Sequence, residues 1–394
     1  MALDSNASVN AISAAAAWAF FLFGYDTGVV STAMTWTKKS MDLSNVQYEV
    51  AIAITTAVAG VFALTARTSN ALCGRRGTVL VASACFFVGA LLVAASPDSN
   101  GAGFVMLCGG RVLIGAGCGL ATVTVPIYIA EVAPPETRGT LISMEIFFTV
   151  LGQFFSCVVN ATLESFGDDY WRLSMGGAAV PALVLFGLFV YLPESPRWLA
   201  SKGRLLEARI VLARVRDADS DSAAIDGEIK DIEAELNAAR EDLEVLELLR
   251  HAYSSSKPLF RALTVGCGLM VLQQLAGINT LARGRVPVSR FSIVVRRPPP
   301  PRAQMYYSTV LFERAGFSAL QAAWMAAVAA AMQGLGVFVL VYHGWADTHG
   351  RRKVLLRAGK GCEHPNLKGS YLRRFPLVSA DFLRGIISRN NIEA

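Results

Sequence analysis

The sequence predicts an all-α membrane protein. Of its 394 residues 53% are hydrophobic and only 17% are charged, whereas soluble domains carry about 25% charged residues. Apolar runs of about 20 residues recur along the chain, long enough for a helix to cross a bilayer core of about 30 Å. These runs predict eight spans, at 11–31, 47–66, 78–96, 104–130, 140–162, 173–192, 259–280 continued at 305–311, and 320–342.

Cationic residues between the predicted spans set the orientation of the chain. They gather in the even-numbered loops, whereas the loop at 97–103 has no cation. Because Lys and Arg are enriched in cytoplasmic loops, the even-numbered loops and the N-terminus are predicted to face the cytosol. The cations of the even-numbered loops are Arg67, Arg75 and Arg76, then Arg138, then residues from Arg197 to Arg250, and finally Arg351, Arg352 and Lys353.

The remaining sequence features argue against several classes of protein. The net charge of +6 is modest and no basic stripe with interleaved aromatic residues occurs, so we expect no nucleic acid partner. The seven cysteines form no CxxC pair and the four histidines are dispersed, so we expect no metal site. No phosphate-binding or dinucleotide-binding glycine fingerprint occurs, and no nucleophile, base and orienting group converge. We therefore expect no cofactor and no enzyme activity.

One short basic loop occurs twice, after the second and the eighth predicted span. The copies are Gly74-Arg75-Arg76 and the stretch from Asp347 to Gly350, Arg351 and Arg352. Recurrence six spans later indicates two homologous halves of six spans each. Glycine permits a tight turn, and arginine can bond helix-end carbonyls and carboxylates across the interface between the halves.

Three further motifs carry a family resemblance. They are GGRVLIGAGCGLATVTVPIYIAEVAPPETRG at 109–139, PESPRWL at 193–199 and QQLAGIN at 273–279. With the paired basic loops, they closely resemble the sugar porter branch of the major facilitator superfamily, over residues 11–280 and 305–354. The resemblance implies that superfamily's fold, here as a complete six-helix N-terminal bundle plus an incomplete C-terminal bundle. Asn70 ahead of the first basic loop, with YLPESPRWL, favours proton-coupled inositol transporters, although hexose porters share nearly all these motifs.

The resemblance also implies a cytoplasmic gate built from charged loop residues. Members of the family close their inner side with the basic loops and with the motifs that can pair with them. In this chain the gate residues would be Gly74, Arg75, Arg76, Glu131, Arg138, Glu194, Arg197, Asp347, Gly350, Arg351 and Arg352.

Two ionisable residues lie inside predicted spans, Asp26 in the first and Arg111 in the fourth. Charges at that depth are costly, face cavities and mark ion pathways. By resemblance to proton-coupled sugar porters, Asp26 accepts the proton and Arg111 is its charge partner, released when Asp26 is protonated. The alternative is a structural ion pair without proton coupling, as in the uniporters of the family.

Amide side chains supply the candidate substrate site. A polyol offers many hydroxyls that both donate and accept, and Asn and Gln match both functions without a charge. The candidates are Gln153, Gln273, Gln274 and Asn279, with Phe23 packing against the sugar ring and Tyr306 and Tyr307 as the outer gate. Hydrogen bonding between helices is the alternative role for the amides.

The chain departs from the family pattern twice. Residues 281–304 interrupt the seventh span with six arginines, no acid and four consecutive prolines, which cannot lie in lipid as helix. A retained intron is the favoured explanation, and a loop extending into water is the alternative. After Lys353 no apolar run is long enough to span a membrane. We therefore expect that the family's spans nine to twelve are missing and that 354–394 is a non-family tail. A true tail with a regulatory role is the alternative.

These features predict four regions and one function. The regions are a six-span bundle at 1–192, a cytoplasmic linker of amphipathic helices at 193–258, a partial C-terminal bundle at 259–353 and the tail. The predicted function is secondary active transport of a sugar or polyol (myo-inositol or a hexose), by proton symport and alternating access in a lipid bilayer. The plasma membrane is favoured over a vacuolar or other organelle membrane. A facilitative uniporter, a sugar sensor and a non-functional product are the alternatives.

The insertion leads to a test on the native transcript. If 281–304 is a retained intron, the mature messenger joins the codon of Thr280 to that of Met305 and restores one continuous span. Sequencing the transcript across this junction and past Lys353 checks both departures. A transcript that encodes the chain as written would contradict the intron explanation.

Overall fold

The computed structural model describes residues 5–134, 137–163, 170–216 and 222–240, together with single helical positions between 320 and 335. Every regular element in this part of the chain is an α-helix. The helices are α1 (Ser5–Ser40), α2 (Asn45–Ala94), α3 (Ala102–Val132), α4 (Arg138–Leu163), α5 (Tyr170–Gly176), α6 (Ala179–Tyr191), α7 (Pro196–Ser201), α8 (Leu205–Val215) and α9 (Ser222–Arg240). The seventh predicted span, the insertion and the tail lie outside these residues.

Among the described residues, five stretches are long and apolar enough to cross a membrane: α1, α2, α3, α4 and the α5–α6 pair from Tyr170 to Tyr191. Their large apolar side chains are exposed on many faces, as expected where lipid rather than water surrounds a helix. Helix α2 has 50 residues, about 75 Å at 1.5 Å per residue, which exceeds twice the bilayer core. It therefore accommodates both the second and the third predicted span.

Helix α2 folds back on itself at Gly74, where φ is 76°. The hydroxyls of Ser69 and Thr78 lie 3.1 Å apart although nine residues separate them, which a straight helix would not allow. A positive φ of this kind is open to glycine at little cost. The two limbs, 45–73 and 75–94, are thus a tight helical hairpin with a one-residue corner.

Helix α3 lies against both limbs of α2 along its glycines. An added Cβ on Gly119 would stand 2.3 Å from the carbonyl oxygen of Ala59, so backbones touch there without side chains between them. The contact pairs are Gly115 with Thr55, Gly119 with Ala59, Gly110 with Gly89, and Gly117 with Ala82. The order of these pairs makes the first limb parallel to α3 and the second antiparallel.

Helices α1 and α4 form a second close contact, and they run parallel. Added Cβ atoms on Gly24 and Gly28 would stand 1.9 Å from the oxygen of Thr149 and 3.0 Å from that of Gln153, and this order of contacts makes the helices parallel. An added Cβ on Gly152 would stand 2.1 Å from the oxygen of Phe21. Small residues permit such approach between membrane helices, where packing rather than the hydrophobic effect drives association. This α1–α4 contact fixes which face of α4 points into the bundle.

The outer ends of α1, α2 and α5 are joined through Asp98. Its carboxylate accepts hydrogen bonds from Ser40 and from Arg172, the latter at 2.6 Å. The Ser40 hydroxyl, and after it the Arg172 guanidinium, lower the pKa of Asp98 below its usual value. This group lies in the loop between α2 and α3, on the side opposite Gly74.

On the Gly74 side, α7, α8 and α9 pack into a small apolar cluster of their own. It is formed by Leu199, Ala200, Ala208, Leu212, Ile225 and Ile232. Helices α8 and α9 carry this apolar face among charged residues, so they lie beneath the bundle rather than in it. The division of the chain into four regions stays a prediction.

The α1–α4 contact predicts the effect of adding a methyl group. We expect Gly152→Ala to lower the stability of the folded protein by about 1–3 kcal/mol, because its Cβ meets backbone that cannot move aside. Gly187→Ala is the matched control, since no atom of the described residues lies within 4 Å of a Cβ there. Thermal unfolding in detergent compares the two variants, and equal melting temperatures would contradict the packing.

Candidate functional site

The structure brings Asp26 and Arg111 together in the interior of the bundle. A guanidinium nitrogen of Arg111 lies 2.7 Å from Oδ1 of Asp26, with side-chain exposures of 2% and 13%. Arg111 Nε also donates to the backbone oxygen of Ala51 at 3.2 Å. One cation therefore connects α1, α2 and α3.

In this pair each buried charge has its partner close by. Removing one member of a buried pair leaves an uncompensated charge and costs about 3–5 kcal/mol. The contact also bears directly on proton chemistry, since a proton on Asp26 would remove the negative charge that holds Arg111. The predicted role of the pair in proton coupling stays a prediction.

Helix α4 carries a file of polar residues on its inward face. Glu145, Gln153, Ser156 and Asn160 are all buried, with Thr149 half-buried between the first two. These positions recur at about one helical turn, so they form a line along the helix axis. Sequence reasoning identified only Gln153 of this file as a site residue.

The outer end of the polar file is satisfied by neighbouring helices. Asn160 Nδ2 donates to the backbone oxygen of Val29 at 3.3 Å, and its Oδ1 accepts from the Ser174 hydroxyl. The Tyr25 hydroxyl donates to the backbone oxygen of Ser174 at 2.8 Å. Polar groups of α1, α4 and α5 thus close one network at this level.

In the inner part of the file, buried acceptor atoms lack hydrogen-bond partners among the described residues. Gln153 is 7% exposed and its Oε1 has no hydrogen-bond partner among the described residues. Glu145, at the same exposure, also has one oxygen without a partner there. A buried acceptor without a donor costs about 1–3 kcal/mol, so both positions suit a ligand or a proton.

Aromatic residues of α1 border this region. Phe23, the predicted ring-packing residue, is half-buried against the core, and its backbone oxygen accepts from Thr27 at 2.8 Å. Trp18 stacks on Phe21 with ring centroids 4.6 Å apart, and Phe148 of α4 meets Trp18 edge-on. Trp18 and Phe21 were not predicted as site residues, because aromatic residues in an apolar span look like ordinary core residues.

The Gly74 corner of α2 is closed by Glu194. Its Oε1 accepts from the backbone nitrogens of Arg75 at 2.9 Å, Arg76 at 3.1 Å and Ser195 at 2.8 Å. A carboxylate at this place satisfies the unpaired N–H groups that begin the second limb and complements the helix dipole. A Cβ on Gly74 would lie 2.2 Å from Glu194 Oε2, so the carboxylate also requires the glycine.

The two arginines of the corner reach different helices. Arg75 pairs with Glu131 of α3 at 2.7 Å, and Glu131 also accepts from the Ser195 hydroxyl at 2.5 Å. Arg76 donates to the backbone oxygens of Phe189 and Val190 at the end of α6. Three helix ends and the start of α7 are therefore connected by charged groups.

Of the other predicted gate residues, two are described and four lie outside the described residues. Arg138 begins α4 and is exposed, and within the described ranges it makes no ion pair with the Gly74 corner. Arg197 is half-buried in α7. The predicted residues outside the described part are Gln273, Gln274, Asn279, Tyr306, Tyr307, Asp347, Gly350, Arg351 and Arg352.

The chain resembles known transporters in sequence. It matches the sugar (and other) transporter family over residues 12–282. It is 36% identical over 355 residues to the human proton myo-inositol cotransporter, covering 89% of this chain and 49% of the relative. It is 32% identical over 345 residues to inositol transporter 4 of Arabidopsis thaliana, covering 85% and 53%. The chain therefore spans about half the length of these curated relatives.

A solved structure shows the same fold. The E. coli xylose transporter XylE, a major facilitator superfamily protein, aligns with a TM-score of 0.67 and 22% identity. The alignment covers 89% of this chain and 74% of that one. Together with the all-helical architecture of the described residues, it confirms the predicted superfamily fold. The completeness of the C-terminal bundle stays a prediction.

The Glu194 contacts predict a difference between two glutamates on the Gly74 side of the bundle. We expect Glu194→Ala to destabilise the protein by about 1.5–3 kcal/mol, because three backbone donors lose a charged acceptor. Glu207→Ala removes a carboxylate that pairs with Arg204 at an exposed position, so we expect almost no change. Melting temperatures of the purified variants test this, and similar losses at both positions would refute the capping role.

Proposed function

Because the chain belongs to the sugar transporter family, we propose that it is a secondary active transporter of a sugar or polyol, driven by proton symport. The observation that carries this proposal is the interior ion pair between Asp26 and Arg111. An ionisable pair inside a membrane bundle is a default candidate for an ion pathway. The protein is an integral membrane protein with several spans, and we propose the plasma membrane as its location.

Protonation of Asp26 supplies the coupling step. The neutral acid no longer attracts Arg111, which keeps its hydrogen bond to the Ala51 oxygen on α2. The link between α1 and α3 therefore weakens, whereas the link between α2 and α3 persists. Proton binding thus changes how α1 sits against its neighbours, which is the kind of rearrangement that alternating access requires.

Gln153 is the described residue that supports a polyol substrate. Its buried Oε1 can accept from a hydroxyl, and its amide nitrogen can donate to another. In the proposed site Gln273, Gln274 and Asn279 complete the amide set, and Phe23 packs against the ring. We propose myo-inositol first and a hexose second, because the human and Arabidopsis thaliana relatives are named for inositol.

The charged corner at Gly74 would serve as the inner gate. Its contacts join α2, α3, α6 and α7 through Glu194, Glu131 and the two arginines. Breaking several charge-assisted hydrogen bonds is costly but reversible, which suits a closure that opens once per cycle. The second basic loop, at 347–352, would complete the gate from the other half.

Uphill uptake separates proton symport from facilitated transport. In proteoliposomes that contain the 394-residue chain, an acidic outside should drive accumulation of labelled myo-inositol. We expect Asp26→Asn to abolish accumulation while sparing exchange of internal for external substrate, because the variant cannot change charge. Asp98→Asn, at the outer surface, is the control and should still accumulate substrate.

Three results would count against the proposal. Accumulation by Asp26→Asn equal to that of the unaltered chain would remove Asp26 from the proton role. Downhill uptake without any response to the pH gradient would favour a facilitative uniporter. Binding of a sugar without any flux would favour a sensor.

A further inference from the structure

Glu145 is a buried carboxyl that the proposed transport site does not use. It lies in α4, two turns before Gln153 on the same inward face, and is 7% exposed. Its Oε1 is buried and has no hydrogen-bond partner among the described residues. An ionised carboxylate in such surroundings costs far more than a neutral one, so the position favours a proton on the carboxyl.

No charged residue in the described part of the chain compensates a negative charge on Glu145. Helix α4 packs against α1, α3 and α5, where the titratable groups make other contacts. It also contacts Ala327 and Gly334, and none of the described positions between 320 and 335 carries a titratable residue. Asp26 pairs with Arg111, Glu131 with Arg75 and Arg172 with Asp98, while Tyr25 and Tyr128 donate to backbone oxygens. The remaining titratable residues of these helices are Lys38 and Lys39 at the outer end of α1, Cys108, Cys118, Tyr170, and Arg138 and Cys157 on α4 itself.

The α1–α4 contact fixes the depth of Glu145 relative to Asp26. Thr149 meets Gly24, and the two helices run parallel. Glu145 lies one turn before Thr149, and Asp26 lies two residues after Gly24. At 1.5 Å per residue the two carboxyls are offset by about 9 Å along the helix axes. Given the predicted cytosolic N-terminus, Glu145 is on the cytoplasmic side.

We propose that Glu145 is a second proton-exchanging carboxyl, placed on the cytoplasmic side of Asp26. In the proposed step, hydronium on that side gives a proton to a carboxylate oxygen of Glu145: one O–H bond of hydronium breaks to leave water, one O–H bond forms on the carboxyl, and the group becomes neutral. The reverse step returns the proton to water. The functional meaning of this exchange rests on the proposed proton symport. The proton-exchanging site at Glu145 does not rest on proton symport, because it requires only a buried acid that titrates.

The position of Glu145 indicates which helix contact proton exchange at this carboxyl would alter. Glu145 lies one helical turn before Thr149, whose backbone meets Gly24 in the α1–α4 contact. A neutral acid is compatible with that close approach, whereas a negative charge calls for water or a cation beside it. Loss of the proton would therefore loosen the inner end of the contact, as release toward the cytosol would require.

Infrared difference spectroscopy of the full chain in lipid nanodiscs tests the proposal. Spectra taken between about pH 5 and about pH 10 bracket the ionisation of exposed and buried carboxyls. We expect the carbonyl band of a weakly hydrogen-bonded carboxylic acid, which shifts in D2O and fades as the pH rises. Glu145→Gln should remove the band, whereas Glu207→Gln and Asp26→Asn should retain it.

Three results would overturn the proposal. They are the absence of such a band, a band that survives Glu145→Gln, and a band that neither titrates nor exchanges, which would make Glu145 a permanently neutral structural acid. In the unaltered chain, glutamate labelled with ¹³C distinguishes a glutamate band from an aspartate band, which keeps the test informative even if Glu145→Gln fails to fold. If the band titrates but myo-inositol does not perturb it, the proposed substrate fails and the proton-exchanging carboxyl stands.

Discussion

The arrangement of the bundle depends on one buried ion pair. Arg111 is almost fully enclosed and must have its charge balanced, since an unpaired guanidinium inside a membrane protein is costly. Asp26 supplies that balance at 2.7 Å, and the Ala51 oxygen takes a further donor. The glycines of α3 allow the helices to come close enough for these contacts, so the packing and the charge pair require each other.

Buried polar groups must also find partners at the Gly74 corner. A helix that reverses within one residue exposes backbone N–H groups at its new start, and these need acceptors. Glu194 provides them from a motif 120 residues further along the chain, while Arg76 satisfies the carbonyls that end α6. A loop motif that looks like a simple charged connection is therefore a cap that holds several helix ends together. Its charges make it suitable as a reversible closure.

Much of this could be predicted from the sequence, and the exceptions have physical causes. Apolar run lengths located the N-terminal spans, and family resemblance paired Asp26 with Arg111. The hairpin corner was expected as a loop, but a glycine with positive φ lets helix continue on both sides. The Tyr25–Ser174–Asn160 network joins residues far apart in sequence, which no local pattern reveals. Glu145 was missed because a glutamate seven residues into a helix usually lies near the water interface.

In the proposed mechanism, substrate binding and proton binding are coupled through Asp26. Titration calorimetry of myo-inositol binding, repeated in two buffers of different ionisation enthalpy, counts the protons exchanged on binding. We expect net proton uptake on binding, so the apparent binding enthalpy differs between the buffers. Binding with the same enthalpy in both buffers, or no binding, would contradict it.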